Sequence, residues 1–543
     1  MAEADPPSES EVQPQTPPPT EHIVLPRRQL VLAMAAVMGA MFLASIDQTI
    51  VATATPRIIS DLGGFDRYSW VTTAYLVASV TIMPVVGRLT DMYGRKWFYI
   101  PGIAVFLLGS ALAGLSQNMD QLIIFRGVQG LGAGVMMANG FIAIGDLFPP
   151  NQRAKFLGLI TATFGMASII GPTLGGFITD ALSWHWIFYI NLPLGIPLIF
   201  LFIRYFPDVR RGGKHHIDYP GIVLLVFTVV PLLLGLSWGG VNYPWGSTQV
   251  IGALVLSVVM GGAFIWTELR SPEPIVPLFL FRDRIVGLSL LAVFLSAFGL
   301  YGGIMFVPLF FQGVLGTSAT TSGSFLTPMM LGVVAGSLTS GQALARLGGH
   351  YKVQALIGLG LMSVGYFLMS LMSPETSRIT AVLFTVVMGI GLGSTMPVFT
   401  TTMQNAVPFR YIGIATTATQ FFRAVGGAVG LAVLGSFMVR RFASGVDQFV
   451  DPALRDTLPP GTLESITANP QALVNPEALE RLQTALIEAG TPPGVGEQLL
   501  ESLRGGLSLA ITDGFLLLLG FVMAAFVVML FVRQVPLRSR RSR

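Results

Sequence analysis

Residues 87–96 read Gly-Arg-Leu-Thr-Asp-Met-Tyr-Gly-Arg-Lys and join two apolar blocks, 69–87 and 98–116, that carry no charged residue. Residues 341–348 read Gly-Gln-Ala-Leu-Ala-Arg-Leu-Gly, with the same spacing between their glycines, and also follow an apolar block. A short polar turn therefore recurs at corresponding places in the two halves of the chain. This internal repeat predicts two structurally related halves.

Long apolar blocks run through the whole sequence. Hydrophobic residues make up 52% of the chain and charged residues 11%, whereas soluble proteins carry about 25% charged residues. Each block has the length of about 20 residues that a helix needs to cross a bilayer, and a backbone inside lipid must be helical. We predict an all-α polytopic membrane protein with fourteen spans, at 29–51, 69–87, 98–116, 121–145, 156–178, 186–203, 219–238, 249–266, 285–311, 322–345, 353–372, 379–403, 414–439 and 507–532.

The repeat divides these spans into two six-helix bundles, formed by spans 1–6 and 9–14, with spans 7 and 8 inserted between them. The predicted units are a disordered, acidic and proline-rich tail at 1–28, a first bundle at 29–205, two inserted helices with their linkers at 206–284, and a second bundle at 285–543. The second bundle includes an extracellular loop at 440–506. Such repeats place a substrate site near the middle of the membrane, between the bundles.

The distribution of lysine and arginine predicts the orientation. Basic residues accumulate in the short loops of one side, which include the turn at 87–96, and cytoplasmic loops carry such an excess. We therefore expect a multi-pass protein of the cytoplasmic membrane with both termini in the cytoplasm. The net charge of +4 is spread over these loops and does not indicate nucleic-acid binding.

The segment 87–96 resembles the cytoplasmic signature of the major facilitator superfamily. Its glycines permit a tight turn, and Asp91 can cap a helix or pair with Arg95. We interpret the charges as a latch that steadies one state of a transport cycle. This cytoplasmic gate consists of Gly87, Asp91, Gly94, Arg95 and Lys96.

A second motif, in span 5, is similar to the signature of the antiporters of that superfamily. It consists of Gly165, Gly171, Pro172, Gly175 and Gly176. Small residues let helices approach closely, and a proline interrupts the hydrogen bonds of the helix. The family pattern usually has a further glycine where this chain has Ala167.

Four other segments resemble the fourteen-span drug:proton antiporters, namely 45–51, 184–193, 274–281 and 420–427. The resemblance covers nearly the whole chain and implies the major facilitator fold. It also implies multidrug efflux driven by the proton gradient without a cofactor, and hence drug resistance. The implied partners are small-molecule substrates, protons and the lipid bilayer, with no nucleic acid and a monomeric chain.

Asp47 is the leading candidate for proton coupling because an acid within a span is costly and therefore indicates function. Span 1 runs outward and span 4 runs inward, so that Asp47 and Arg126 lie at the same depth and can pair. Burial and a neighbouring arginine act on the protonation of an acid in opposite directions. Further polar and aromatic residues are candidates for the substrate cavity: Gln48, Tyr75, Gln129, Asn139, Tyr301, Phe306, Gln404, Gln420, Phe421 and Arg423.

Several alternatives remain open. The same scaffold suits an exporter of amphipathic or cationic drugs and other small hydrophobic compounds, or a dedicated exporter of an endogenous lipid, siderophore or secondary metabolite. A membrane-embedded enzyme would need clustered histidine or acidic residues, and the sequence shows no such cluster. It also has no phosphate-binding loop for ATP and no cysteine, so that a cysteine-based metal site is excluded.

Overall fold

The computed structural model describes residues 25–534 apart from 63–66, 68, 209–215, 241, 317–318, 347–349, 451–462 and 464–494. These residues fold into helices. In chain order they are α1 (Arg27–Leu62), α2 (Ser69–Tyr93), α3 (Lys96–Gly114), α4 (Met119–Leu147), α5 (Pro150–Ala181), α6 (Trp186–Tyr189), α7 (Asn191–Tyr205), α8 (Tyr219–Trp238), α9 (Thr248–Glu268), α10 (Arg284–Leu309), α11 (Ala319–Arg346), α12 (Tyr351–Ser370), α13 (Arg378–Ala406), α14 (Ile412–Phe449) and α15 (Val495–Leu530).

Local sequence explains where several of these helices begin. The side chains of Asn118, Asp218 and Asp283 accept hydrogen bonds from the first backbone N–H groups of α4, α8 and α10. These N–H groups have no partner inside the helix, so a capping oxygen fixes the starting residue.

Thirteen helical segments of the described chain are long and apolar enough to cross a membrane, with α6 and α7 counted as one segment, Trp186–Tyr205. Helix α11 has 28 residues and corresponds to the predicted tenth span. It is not among the thirteen segments. The predicted fold class, an all-α polytopic membrane protein, is confirmed.

The helices pack in two groups. Helices α1 and α3 each contact both α4 and α7, and α5 packs on α1 while α2 packs on α4. In the second half, α10, α14 and α15 contact one another, as do α12 and α13, and α11 packs on α13. Contacts of α5 with α11 and of α2 with α14 join the halves, and the pair α8–α9 lies against α2 and α14 through α8.

The last two long helices extend further than the sequence predicted. Helix α14 continues to Phe449 and α15 begins at Val495, so the predicted loop at 440–506 begins and ends as helix. The extension is stable because Phe442 and Val446 are buried together with Leu503. Most of the predicted loop and residues 1–24 of the predicted tail lie outside the described residues.

Candidate functional site

Asp47 of α1 and Arg126 of α4 form a buried ion pair in the first half of the chain. Arg126 Nη1 donates to Asp47 Oδ2 at 2.6 Å. The side chain of Asp47 is 0% exposed and that of Arg126 is 1% exposed. The structure thus brings together the two residues that the sequence placed at one depth, in surroundings where charges interact strongly.

Two amides complete the coordination of the Asp47 carboxylate. Gln129 Nε2 and Asn191 Nδ2 donate to Asp47 Oδ1 at 2.8 and 2.7 Å. The same two nitrogens lie 3.1 and 2.9 Å from Ser110 Oγ, which donates to the carbonyl of Phe188 at 2.9 Å. Asp47 therefore accepts hydrogen bonds from α4 and α7 and lies at the junction of four helices.

Sequence reasoning missed Ser110 and Asn191 as members of this cluster. Asn191 was visible as a polar residue in the segment 184–193, and its place directly before the apolar run of α7 was the available signal. Ser110 gave no signal, because serine is common in apolar helices.

Aromatic rings cover the Arg126 guanidinium. Its Cζ lies 4.2 Å from the centre of the Tyr75 ring and 5.9 Å from that of Phe188. The Tyr75 hydroxyl donates to the carbonyl of Ala44 at 3.1 Å. Tyr75 and Gln129, which the sequence proposed as cavity residues, therefore belong to the Asp47 cluster.

A second charged cluster lies at the other end of these helices, which we call the gate end. Arg95 donates to Asp91 Oδ1 at 2.6 Å, to Asp146 Oδ2 at 2.7 Å and to Thr90 Oγ1 at 2.9 Å. All four side chains are buried. Burial by itself lowers the pKa of the Arg95 guanidinium, but the charges of Asp146 and Asp91 outweigh it and raise that pKa.

Asp91 also binds the beginning of α14 in the other half of the chain. Its Oδ1 accepts the backbone N–H of Gly413 at 3.2 Å, and its Oδ2 accepts that of Ile414 at 3.1 Å. A carboxylate is stabilised at a helix N-terminus by the free N–H groups and the helix dipole. One side chain thus joins α2, Arg95 and α14.

The two glycines of the gate segment are required by geometry. A Cβ on Gly87 would lie 2.9 Å from Thr417 Cγ2 of α14, closer than side chains pack. Gly94 has a φ of 93°, a conformation that favours glycine. The first allows α2 and α14 to touch, and the second allows the turn into α3.

Lys96 does not belong to this cluster, contrary to the sequence interpretation. Its Nζ donates to the carbonyl of Ile203 at 2.6 Å on the exposed end of α7. The helical turn directs consecutive side chains apart, so Arg95 points inward and Lys96 outward. The third charged member of the cluster is Asp146, near the C-terminal end of α4, and not Lys96 as the sequence predicted.

The motif in α5 lies where three helices meet. A Cβ on Gly171 would lie 2.7 Å from Thr49 Cβ, and one on Gly175 would lie 3.0 Å from the carbonyl of Ile50, both in α1. A Cβ on Gly165 would lie 2.6 Å from Val334 of α11 on another face.

The other members of the α5 motif make fewer contacts. A Cβ on Gly176 would have no contacting atom within 4 Å among the described residues. Pro172 is exposed, within a helix that continues on both sides of it. The carbonyl of Ala167 accepts the Thr49 hydroxyl at 3.2 Å, so this departure from the family pattern is compatible with close packing.

Comparison with known proteins identifies the family. Residues 37–431 match the sequence model of the Major Facilitator Superfamily. The chain belongs to the major facilitator superfamily. It is 37% identical over 522 residues to the multidrug transporter protein MdtP of Bacillus subtilis (strain 168), with 94% of each chain covered. It is 35% identical over 504 residues to multidrug resistance protein 3 of the same organism, with 92% of this chain and 94% of that relative covered.

The fold of this superfamily is also seen by structural comparison. The crystal structure of the human organic anion transporter MFSD10 (TETRAN) superposes with a TM-score of 0.60 at 13% identity, covering 93% of this chain and 100% of that one. At this identity the likeness shows the fold alone. As a member of the superfamily the chain is a multi-pass membrane transporter rather than an enzyme, and its relatives support a role in efflux. Transporters of this kind need no cofactor and are driven by ion gradients.

The remaining cavity candidates differ in their surroundings. Gln404 Nε2 donates to the carbonyl of Phe141 at 3.2 Å and to Thr416 Oγ1 at 3.1 Å, and thereby connects α13 with α4 and α14. Asn139 is fully buried, and neither of its amide atoms has a partner among the described residues. Gln404 therefore lies between the two halves of the chain.

Two aromatic candidates are packing residues. Phe306 is 3% exposed within the core of the second half, because α10 turns it toward Phe310 and Phe311. Phe421 packs with Val77 and Val80 of α2. Gln48, Tyr301, Gln420 and Arg423 are at least partly buried.

Among the described residues, no three histidine or acidic side chains are grouped so that they could hold a metal ion.

Proposed function

We propose that this transporter exports amphipathic and cationic drugs and other small hydrophobic compounds across the cytoplasmic membrane, in exchange for protons. The observation that carries the proposal is the fully buried carboxylate of Asp47, held by Arg126, Gln129 and Asn191. The proposal on substrates is supported by the relatives, whose names describe multidrug transport and multidrug resistance.

Asp47 can couple proton binding to motion because its main partner keeps its charge. Arginine is protonated at any physiological pH. A proton on Asp47 therefore leaves Arg126 as a buried cation without a counter-charge, and breaking a buried pair in this way costs about 3–5 kcal/mol. A state in which Arg126 reaches water or another partner then becomes favourable, and α1, α4 and α7 move relative to one another.

The available energy is of the right size for this mechanism. A pH gradient of one unit supplies about 1.4 kcal/mol for each proton, and a potential of 100 mV adds about 2.3 kcal/mol for each charge. Release of the proton on the cytoplasmic side restores the pair between Asp47 and Arg126. The Asp91 contact with α14 then closes the gate end, which we predict from its basic loops to face the cytoplasm.

Uptake into proteoliposomes tests the proposal. Vesicles with an acidic lumen, containing transporter whose gate end faces the medium, are expected to accumulate several chemically unrelated amphipathic dyes. Accumulation should stop when an ionophore collapses the pH gradient. Accumulation that survives this collapse would refute proton exchange. Accumulation of only one compound from the panel would instead favour a dedicated exporter of an endogenous compound.

A further inference from the structure

Arg423, in the first third of α14, carries a charge that no acidic side chain balances within the part of the chain that the structure describes. Its Nη1 donates to Gln420 Oε1 at 2.6 Å, and it takes part in no ion pair there. The one titratable group that interacts with it electrostatically is the Tyr301 phenol. An uncompensated cation at membrane depth is costly, and residues of this kind mark binding sites and transport pathways.

Among the described residues of the second half, no carboxylate lies where it could serve Arg423. Between Asp283 and Asp447 the chain has a single acid, Glu375, which is exposed between α12 and α13. Asp447 lies 24 residues further along α14, which is roughly 36 Å at 1.5 Å per residue. In α15, Asp513 pairs with Arg441, and Glu501 is exposed. Within the part of the chain that the structure describes, the counter-charge is then left to another molecule.

A second donor lies directly beside the guanidinium. Gln420 is 9% exposed, and its Nε2 has no hydrogen-bond partner among the described residues. The Oε1 of the same amide already accepts from Arg423, so the Nε2 stays next to the unused N–H groups of the guanidinium. Guanidinium and amide N–H groups only donate, and together they require an acceptor.

This pair of donors lies on the face of α14 between its contacts with α13 and α10, where Arg423 is only partly buried. Thr416, seven residues before Arg423, contacts Gln404 of α13. Gly427, four residues after Arg423, packs on Tyr301 of α10. Residues at these spacings share one face of a helix. The other side of the helix carries Thr417, which contacts α2, and Phe421, which packs on residues of α2 and α8.

We propose that Arg423 and Gln420 bind the oxyanion of an amphiphile, a carboxylate or a phosphate, and that acidic amphiphiles are therefore a substrate class of this transporter. Guanidinium groups match the planar geometry of such oxyanions and form charge-assisted hydrogen bonds with them. This inference rests on the proposed export function and names its substrate. One-for-one exchange of a monoanion for a proton moves two charges across the membrane, whereas exchange of a monocation moves none.

The deciding experiment compares two compounds that differ only in charge. A fluorescent long-chain carboxylate and its methyl ester are offered to proteoliposomes of phosphatidylcholine, which carries no net charge, under one pH gradient. The wild-type transporter is expected to accumulate the carboxylate faster than the ester, by about tenfold, because a hydrogen bond to a charged group is lost in the ester. Arg423→Gln should abolish this preference, and Arg423→Lys should restore part of it.

Arg440→Gln is the matched control, because Arg440 is exposed on the same helix and the change in charge is identical. It should keep the wild-type ratio of the two rates. Equal losses for carboxylate and ester in Arg423→Gln would show a merely structural role and overturn the proposal, as would an unchanged ratio.

Vesicles containing phosphatidylglycerol distinguish the source of the oxyanion. Competition by this lipid in the wild type, absent in Arg423→Gln, would assign the site to a lipid phosphate. Lack of competition, with the carboxylate preference intact, would assign it to the exported compound. Failure of proton exchange itself would appear separately, as accumulation of both compounds that does not respond to the pH gradient.

Discussion

The carboxylate of Asp47 accepts hydrogen bonds from three side chains on two helices, with no exposure to solvent. Each of these bonds favours the charged form, and each must rearrange when a proton arrives. Because the donors come from α4 and α7, the protonation of one residue alters the packing of three helices. The coupling site is accordingly a network rather than a pair.

A substitution at the edge of this network tests its influence on transport. Asn191→Leu removes one of the two donors to Asp47 Oδ1, and with it the hydrogen bond that joins α7 to α1. We expect proton-driven transport to slow, because a proton on Asp47 is then no longer linked to the position of α7. The measurement is the initial rate of dye accumulation across a series of pH values.

Asn139→Leu serves as its control, since Asn139 is equally buried and its side chain has no hydrogen-bond partner among the described residues. This variant should keep the wild-type rate at each pH. Identical rates of dye accumulation at every pH for wild type and Asn191→Leu would show that the Asn191 amide does not influence the Asp47 network.

Among individual residues, the sequence predicted those whose charge is costly to bury in a membrane. It missed those whose role depends on contacts between distant segments. Asp47 and Arg126 were found because each is expensive in a membrane and because the direction of their spans gives their depth. Asp146 and Asn191 were missed as partners, since nothing along the chain shows that α4 returns to Arg95 or that α7 crosses Asp47.

Among the helices, the contact of Asp91 with the start of α14 is the clearest mechanical link between the halves. Asp91→Asn keeps an acceptor for the N–H groups of α14 but removes the charge that faces Arg95. A hydrogen bond to a charged group contributes about 1.5–3 kcal/mol, and so we expect turnover to fall by roughly tenfold or more. Substrate binding measured in detergent should be largely kept.

The control for the gate is Asp120→Asn, which removes an acid from an exposed pair with Arg67. Exposed pairs contribute little, and turnover should stay near the wild-type value. Unchanged turnover in Asp91→Asn would contradict the interpretation of the gate as a latch.

The helix α5 allows a sharper comparison, because its motif contains a contacting and a non-contacting glycine. Gly171→Leu places a large side chain into Thr49 of α1, and overpacking of this kind costs about 1–3 kcal/mol. We expect proton leak in the absence of substrate or weakened exchange. Proton leak is measured with a pH-sensitive dye in the vesicle lumen.

Gly176→Leu introduces the same side chain five residues away, into space that is open to 4 Å among the described residues. It should exchange protons and substrate as the wild type does. Wild-type exchange in Gly171→Leu as well would mean that the contact of α5 with α1 does not control the pathway.

The helices themselves were largely predictable, because hydrophobic length is a strong signal. Two departures have physical causes. Helix α11 contains many serine, threonine and glycine residues, and it packs closely on α5 and α13. The residues 440–449 and 495–506 are less apolar too, and they remain helical by packing on each other, a contact between distant segments that hydropathy along the chain does not report.

Over the whole molecule, the account requires the two halves to separate at the gate end during each cycle. The chain has no cysteine, so that no native thiol can react with an engineered pair of cysteines. A Cβ on Gly87 would lie 3.0 Å from Thr417 Cβ, close to the separation of about 3.8 Å found in disulfides. The double variant Gly87→Cys and Thr417→Cys should transport in the reduced state and stop under oxidising conditions. Addition of a reductant should return transport to the rate of the reduced double variant.

Each single cysteine variant is the control and should show no response to oxidation. Transport that continues while the disulfide is intact, as judged by mobility on a non-reducing gel, would contradict opening at this end.

Proton movement caused by substrate tests the central claim most directly, because it observes the coupled ion itself. Proteoliposomes with a pH-sensitive dye in the lumen receive a substrate gradient and no initial pH gradient. The wild-type transporter should move protons against the substrate, whereas Asp47→Asn should move none while it still exchanges labelled for unlabelled substrate. Proton movement of wild-type size in Asp47→Asn would show that Asp47 does not carry the exchanged proton.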